Sequence, residues 1–317
     1  MKDRIPSATD GFPALMITLP RVGTRVSVRY RRPPGSVPAL SDAVGHLLQT
    51  DPVVRIQTQA GEVVEFGPAD VLTVRRLTDV PVRNSQIRAV EHAAALAWPG
   101  VQQQWMDGWL LRAGHGATMR ANSAVPLEIS ASMAAVPRIV DWYLERDLTP
   151  LLAIPDRLVP LAIDTPVECE TRMLVCDLAD RTPKQQPDTN VTLEQQPSAE
   201  WLDCYARDVP VGVLTAVVDG DVVFGIRAGA AVGRAAVTQA PDGTRWVGLS
   251  AVRVTDASRR QGHARAVCTA LLAWGIDRGA TRGYAQVIDG NMAALGLFRA
   301  LGFSSQHRCR YLRAAPR

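Results

Sequence analysis

Lysine is nearly missing from this chain of 317 residues: only Lys2 and Lys184 occur, so arginine carries almost all of the positive charge. That bias reads first as genomic composition. The net charge of +4, with an isoelectric point near 9.0, suits an anionic ligand and is too modest to argue for nucleic acid. Cysteine is scarce as well. Cys169, Cys176, Cys204, Cys268 and Cys309 are odd in number and widely spaced, without a C-x-x-C or a His pair at ligand spacing. Neither a disulfide framework nor a metal site is expected, and most of the thiols should be small buried apolar groups. No apolar run approaches the roughly 20 residues of a membrane helix. Residues 1–19 mix charges and prolines, which is no signal peptide. A reduced, cytoplasmic protein without membrane contact is the expectation. With 47% hydrophobic and 21% charged residues the chain can build packed cores, and its length predicts two or three modules.

Those modules are read from pattern. Residues 15–80 alternate in the β manner, with short strands at 22–28, 53–58, 63–66 and 71–77 and a turn at Ala60-Gly61. A small SH3-like barrel is predicted. Its Arg29, Arg31, Arg32, Arg75 and Arg76 read as a solvated face. From residue 83 to 180 the pattern becomes mixed: helices at 85–98, 136–146 and 157–163, strands at 150–154 and 171–178, and a hairpin joining 109–112 to 118–123. Residues 181–196, rich in Pro, Gln, Asp and Thr, read as a linker. The third segment, 190–317, repeats the order of the second. It has a helix at 199–207, strands at 213–218, 222–228, 231–237 and 246–254, a helix at 262–278, a strand at 282–288, a helix at 291–301 and a strand at 307–312. The fold class is α/β (α+β), with two similar halves suggesting a duplication.

One stretch carries chemistry. The strand ending Val252-Arg253-Val254 leads through Arg259-Arg260-Gln261-Gly262-His263-Ala264 into an amphipathic helix. A glycine turn opening a helix points unpaired N–H groups at one spot, where the helix dipole adds positive charge. Gly262 admits a phosphate close to the backbone, Ala264 keeps the helix start narrow, and Arg259 and Arg260 add full charges.

This stretch, with Asn291-x-x-Ala294 and Gly302-Phe303 downstream, resembles the GNAT superfamily of N-acetyltransferases over about residues 191–313. Fainter similarity covers 83–180, which has no pyrophosphate motif and looks like a degenerate half. The arrangement is similar to actinobacterial GNAT proteins, some of them classed as N-acetylglutamate synthases. The resemblance implies acetyl-CoA as co-substrate and a primary amine as acceptor. The α-amino group of glutamate is the first specific guess, and a protein or peptide amine, or non-catalytic acetyl-CoA binding, the alternatives. It also implies main-chain contacts from Ala251, Val252 and Val254, pyrophosphate contacts from Arg259, Arg260, Gln261, Gly262, His263, Ala264 and Arg265, and a contact from Asn291, which otherwise reads as a plain helix cap.

Where the family usually places a tyrosine acid in the second helix, this chain has Phe298, which by the resemblance still counts among the cofactor-binding residues. Tyr311 and Tyr284 are the substitutes to weigh against ordinary core tyrosines. No carboxylate lies on 246–250, so Asp256, Asp289 or a water held by Ser250 are left as routes for the proton. His115 reads as a loop residue. Arg112, Arg120 and Asn122 are candidates for a clamp on an amino-acid carboxylate, or else polar residues of an exposed hairpin.

Overall fold

A computed structural model describes residues 19–58, 60–77, 82–161, 165–179 and 190–315. They fall into two compact units, 1–81 and 82–317.

The first unit is a five-stranded antiparallel sheet of β1 (Arg25–Arg31), β2 (Leu40–Gln49), β3 (Val54–Thr58), β4 (Val63–Phe66) and β5 (Val71–Arg76), in the order β4-β3-β2-β1-β5. Period-two alternation buries Val26, Val28, Leu47, Val54 and Ile56 on one face. The sequence reading passed over β2 because small residues, Ala43 and Gly45, take its buried face. Gly45 is required there: a Cβ would stand 1.9 Å from the Gln57 carbonyl oxygen of β3. Arg29, Arg31, Arg32 and Arg75 are exposed, as expected of a solvated face.

The second unit opens with α1 (Asn84–Ala97), which buries Ile87, Val90 and Ala94. A three-stranded sheet follows: β6 (Gln102–Met106), β7 (Trp109–Ala113) and β8 (Val125–Pro126). Then come α2 (Val136–Leu144), β9 (Leu151–Pro155) and β10 (Cys169–Asp177). The last segment contributes β11 (Thr192–Glu194), α3 (Ala199–Tyr205), α4 (Val211–Thr215), β12 (Asp221–Arg227), β13 (Ala231–Gln239), β14 (Arg245–Val254), α5 (His263–Asp277), β15 (Arg282–Ile288), α6 (Met292–Ala300) and β16 (Ser304–Arg313).

Eight of these strands form one sheet in the order β11-β12-β13-β14-β15-β10-β16-β9. The two segments repeat a plan of meander, helix and parallel strand, then exchange their last strands. The strand that follows β9 lies against β15, and the strand that follows β15 lies against β9. The helix α5 packs one face of the sheet through Val267, Leu271 and Leu272. Gly275 lets it approach closely, since a Cβ there would lie 2.6 Å from Val247. The opposite face carries α1, whose Glu91 meets His307 of β16 at 2.7 Å, both buried.

The structure corrects four local expectations. Residues 213–218 are not a strand; Pro210 starts the short helix α4, which buries Val213 and Leu214 against Trp201 and Phe224. The described part of 157–163 is a turn, not a helix. The hairpin partner of β7 is β6, across Asp107-Gly108, and 118–123 is a compact turn. Part of the expected linker, Thr192–Glu194, is the edge strand β11.

Candidate active site

β14 and β15 run parallel from Trp246 opposite Arg282 to Leu249 opposite Ala285, and there their ladder ends. Both strands continue, β14 against β13 to Val254 and β15 against β10 to Ile288, so the sheet parts in its middle. The cause is a bulge. From Arg253 opposite Val232 to Ser250 opposite Arg234, β14 takes three steps to two on β13, with Ala251 at φ +51°. Beyond Leu249 the main-chain groups of Ser250, Ala251, Val252 and Val254 have no rung to β15, which leaves an edge that an amide-bearing ligand can pair with.

Beyond Val254 the chain enters a turn of the kind that receives anions. Arg260 at φ +64° and Gly262 at φ +84° lead into α5, whose N-cap is Gly262. A cavity of about 160 Å³ there is lined by Val254, Ser258, Arg260, Gly262, His263, Ala264, Arg265 and Leu297. A Cβ on Gly262 would find nothing within 4 Å, so the glycine is needed for its left-handed φ and not for a close packing contact. The Nδ1 atom of His263 is buried without a hydrogen-bond partner in the protein. The rest of the motif braces the turn. Arg259 pairs with Asp256 at 2.6 Å on the exposed surface, and Gln261 donates to the Ala257 carbonyl at 3.1 Å.

Asn291 and Phe298 both have clear roles in the protein itself. Asn291 caps α6, its side chain accepting from the Ala294 amide at 3.1 Å. Phe298 is buried in the core against Phe303, and its neighbour Leu297 is the α6 residue that reaches the cavity.

On the opposite face of the sheet the parting strands meet the middle segment. Arg120 donates from Nε to the Gln286 side-chain oxygen at 2.9 Å and from Nη2 to the Gln286 carbonyl at 3.3 Å. Gln286 is the first β15 residue beyond the last rung, and its amide donates to Thr171 at 3.0 Å. Ser250, on the other arm, accepts from Arg234 Nη1 at 3.4 Å. Arg234, 1% exposed, also donates to the carbonyls of Leu214, Ala97 and Ala216. Burial pushes its guanidinium down to about 9, so it still carries its charge at neutral pH. Trp98 takes the Arg234 guanidinium over its ring at 4.5 Å and that of Arg120 at 5.7 Å. Sequence reading missed Arg234, Gln286 and Trp98; nothing in their local pattern marks them.

Arg112 and Asn122 are engaged within the protein. Arg112 is buried, donating to the Ser123 carbonyl at 3.2 Å, the Ser123 hydroxyl at 3.0 Å and the Trp98 carbonyl at 3.5 Å. Asn122 accepts from the amides of Gly114 and Gly116 and donates to the Thr118 carbonyl at 2.7 Å, which closes the loop bearing the exposed His115. Tyr311 is 3% exposed in a cluster with Ala95, Leu110 and Cys309, and burial holds its phenol above the ordinary range. Tyr284 lies under Gly248, where a Cβ would stand 2.1 Å from its ring. Asp289 pairs with Arg172. Among the described residues no group of three His, Cys, Asp or Glu is placed to hold a metal, and no helix is long and apolar enough to cross a membrane.

A sheet opened between two parallel strands by a bulge, with an anion turn at the head of the next helix, defines an acyl-CoA-dependent N-acetyltransferase of the GNAT type. A solved GCN5-related N-acetyltransferase from Kribbella flavida shares the fold at a TM-score of 0.51 and 17% identity, covering 74% of this chain and 96% of its own. Residues 84–312 match the family described as "Probable histone acetyltransferase Rv0428c C-terminal", and residues 20–75 match "Rv0428c N-terminal Sm-like domain". The chain belongs to this family. It is 54% identical over 300 residues to the "Probable histone acetyltransferase Rv0428c" of Mycobacterium tuberculosis, covering 94% of this chain and 97% of that one. It is 28% identical over 263 residues to the "Uncharacterized N-acetyltransferase YobR" of Bacillus subtilis, covering 72% and 99%.

Proposed function

We propose that the chain transfers an acetyl group from acetyl-CoA to a primary amine carried by a protein or peptide. The donor side rests on one observation: Val254 of β14, beyond the last rung to β15, lines the same cavity as the glycine turn of α5. Gly262, His263 and Ala264 present main-chain donors to a pyrophosphate, while Ala251 and Val252 lie where a thioester arm pairs with β14. Arg260 and Arg265 add charge at the same cavity.

On the acceptor side a free amino acid needs a carboxylate clamp. The residues offered for one are engaged: Arg112 and Asn122 within their own loop and Arg120 on Gln286. A protein amine needs no such clamp, and the 54% identical relative is named for a protein substrate. The cleft also accounts for the missing base. Among the described residues no carboxylate pairs with Arg120 or Arg234. Two guanidiniums beside the opening disfavour an ammonium ion, so the amine enters neutral and nucleophilic, and the proton its nitrogen sheds on attack passes to water. Phe298 offers no proton to the departing thiolate, a tolerable leaving group that solvent protonates.

The test is a transfer assay with acetyl-CoA against lysine-bearing peptides, free glutamate and other amino acids. Peptide acetylation without glutamate acetylation is expected. Turnover of glutamate alone would return the clamp reading. Binding of acetyl-CoA with no acceptor consumed would make this a binding protein.

A further inference from the structure

Where β14 and β15 part, each arm is held by an arginine, and the two arginines share one indole ring. Arg234 reaches the β14 arm at Ser250, and Arg120 reaches the β15 arm at Gln286 through two separate bonds. Trp98 lies against both guanidiniums. We infer that Trp98, Arg120 and Arg234 form a wedge that sets the opening of the acetyl-CoA cleft, and that the degenerate half supplies two of its three parts as positioning residues.

The physical case begins with the backbone. Two parallel strands that part leave main-chain groups without a ladder partner, and such groups are satisfied by pairing the strands again or by other donors. Arg120 supplies those donors. Its Nη2 takes the Gln286 carbonyl at 3.3 Å, the first beyond the last rung, and its Nε fixes the Gln286 side chain at 2.9 Å. Gln286 is held in turn by Thr171 of β10 at 3.0 Å, so the arm is fastened on both sides. Arg234 is itself immobilised by carbonyls at residues 97, 214 and 216. Trp98 is fixed by its indole N–H to the Thr118 hydroxyl at 3.3 Å, which also accepts from the Ala121 amide at 3.1 Å. The planar, forked guanidinium suits this duty, since one side chain must bond two oxygens and stack on a ring; lysine cannot.

The inference rests on the cleft being the acetyl-CoA site and is independent of the acceptor. Its test is calorimetry of acetyl-CoA binding and steady-state kinetics on Arg120→Met, Arg120→Lys, Gln286→Met and the Arg120→Met/Gln286→Met double variant. In Arg120→Met we expect acetyl-CoA affinity to fall about tenfold and kcat about a hundredfold, because small misplacement of reacting groups is costly. The acceptor KM should move less than kcat, and the melting temperature should stay within a few degrees. Arg120→Lys should fail to restore the rate, and the double variant should be no worse than the single ones. Unchanged affinity and kcat in Arg120→Met would overturn the wedge, as would a loss matched by the unfolded fraction or additive effects in the double variant. Wild-type protein that does not bind acetyl-CoA would instead overturn the cleft assignment itself.

Discussion

Phe298 meets Phe303 edge to face, with ring centroids 5.2 Å apart, inside the core formed by α5, α6 and the sheet. The ring that stands at the family's tyrosine position is thus 4% exposed and packed against aliphatic neighbours. Phe298→Tyr should therefore lower stability by about 1–3 kcal/mol, the cost of a buried hydroxyl without a partner. Turnover per folded molecule should stay within about twofold. Thermal unfolding alongside initial rates checks this; a faster enzyme of undiminished stability would show that the hydroxyl reaches the cleft.

The turn at Gly262 separates charge from strain. Gly262→Ala meets no neighbour and costs only the left-handed backbone, about 1–2 kcal/mol. Gly262→Asp adds a carboxylate where the pyrophosphate approaches. Calorimetry should find acetyl-CoA binding weakened in the alanine variant and nearly abolished in the aspartate variant. Equal affinities in the two variants would place the phosphates elsewhere.

Arg112 is a structural residue. Arg112→Met leaves the carbonyls of Ser123 and Trp98 buried without their donor. A loss of about 3 kcal/mol or more is expected in chemical denaturation. The acceptor KM of the folded fraction should not move, and a change confined to KM would return Arg112 to the substrate.

The buried phenols set a pH expectation. Burial pushes Tyr284 up to about 12 and holds Tyr311 above the ordinary range. Both stay protonated at working pH, so neither produces a limb in the rate profile between roughly pH 6 and 9. Because the folded-state values are raised, the stability tied to them is present below about pH 10 and falls as pH rises toward the folded values. Tyr311→Phe should leave the profile's shape unchanged; a lost alkaline limb would make Tyr311 the acid.

The turn at the head of α5 and the elements around it were legible because their signals are local. Glycine at a left-handed turn, an amphipathic helix and alternating strands all sit within residues 246–301. The contacts that hold the parted strands were not. Arg234 is defined by carbonyls gathered from residues 97, 214 and 216, and Gln286 by an arginine 166 positions away. Strand β6 escaped because three glutamines carry no apolar alternation, although Asp107-Gly108 is a strong hairpin signal. The valines of 213–218 imitated a strand, whereas burial of Val213 and Leu214 accompanies a helix over 211–215.

The exchanged strands have a consequence for synthesis on the ribosome. β9 finds its antiparallel ladder partner in Ser304–Arg313, and β10 pairs with β15, each more than a hundred residues downstream. Until then the nascent chain carries open strand edges, Leu152, Ala153 and Ile154 among them, and depends on whatever shields such edges from one another. A message cut short before Ser304 therefore costs the earlier half of the sheet a wall that the later half was to provide.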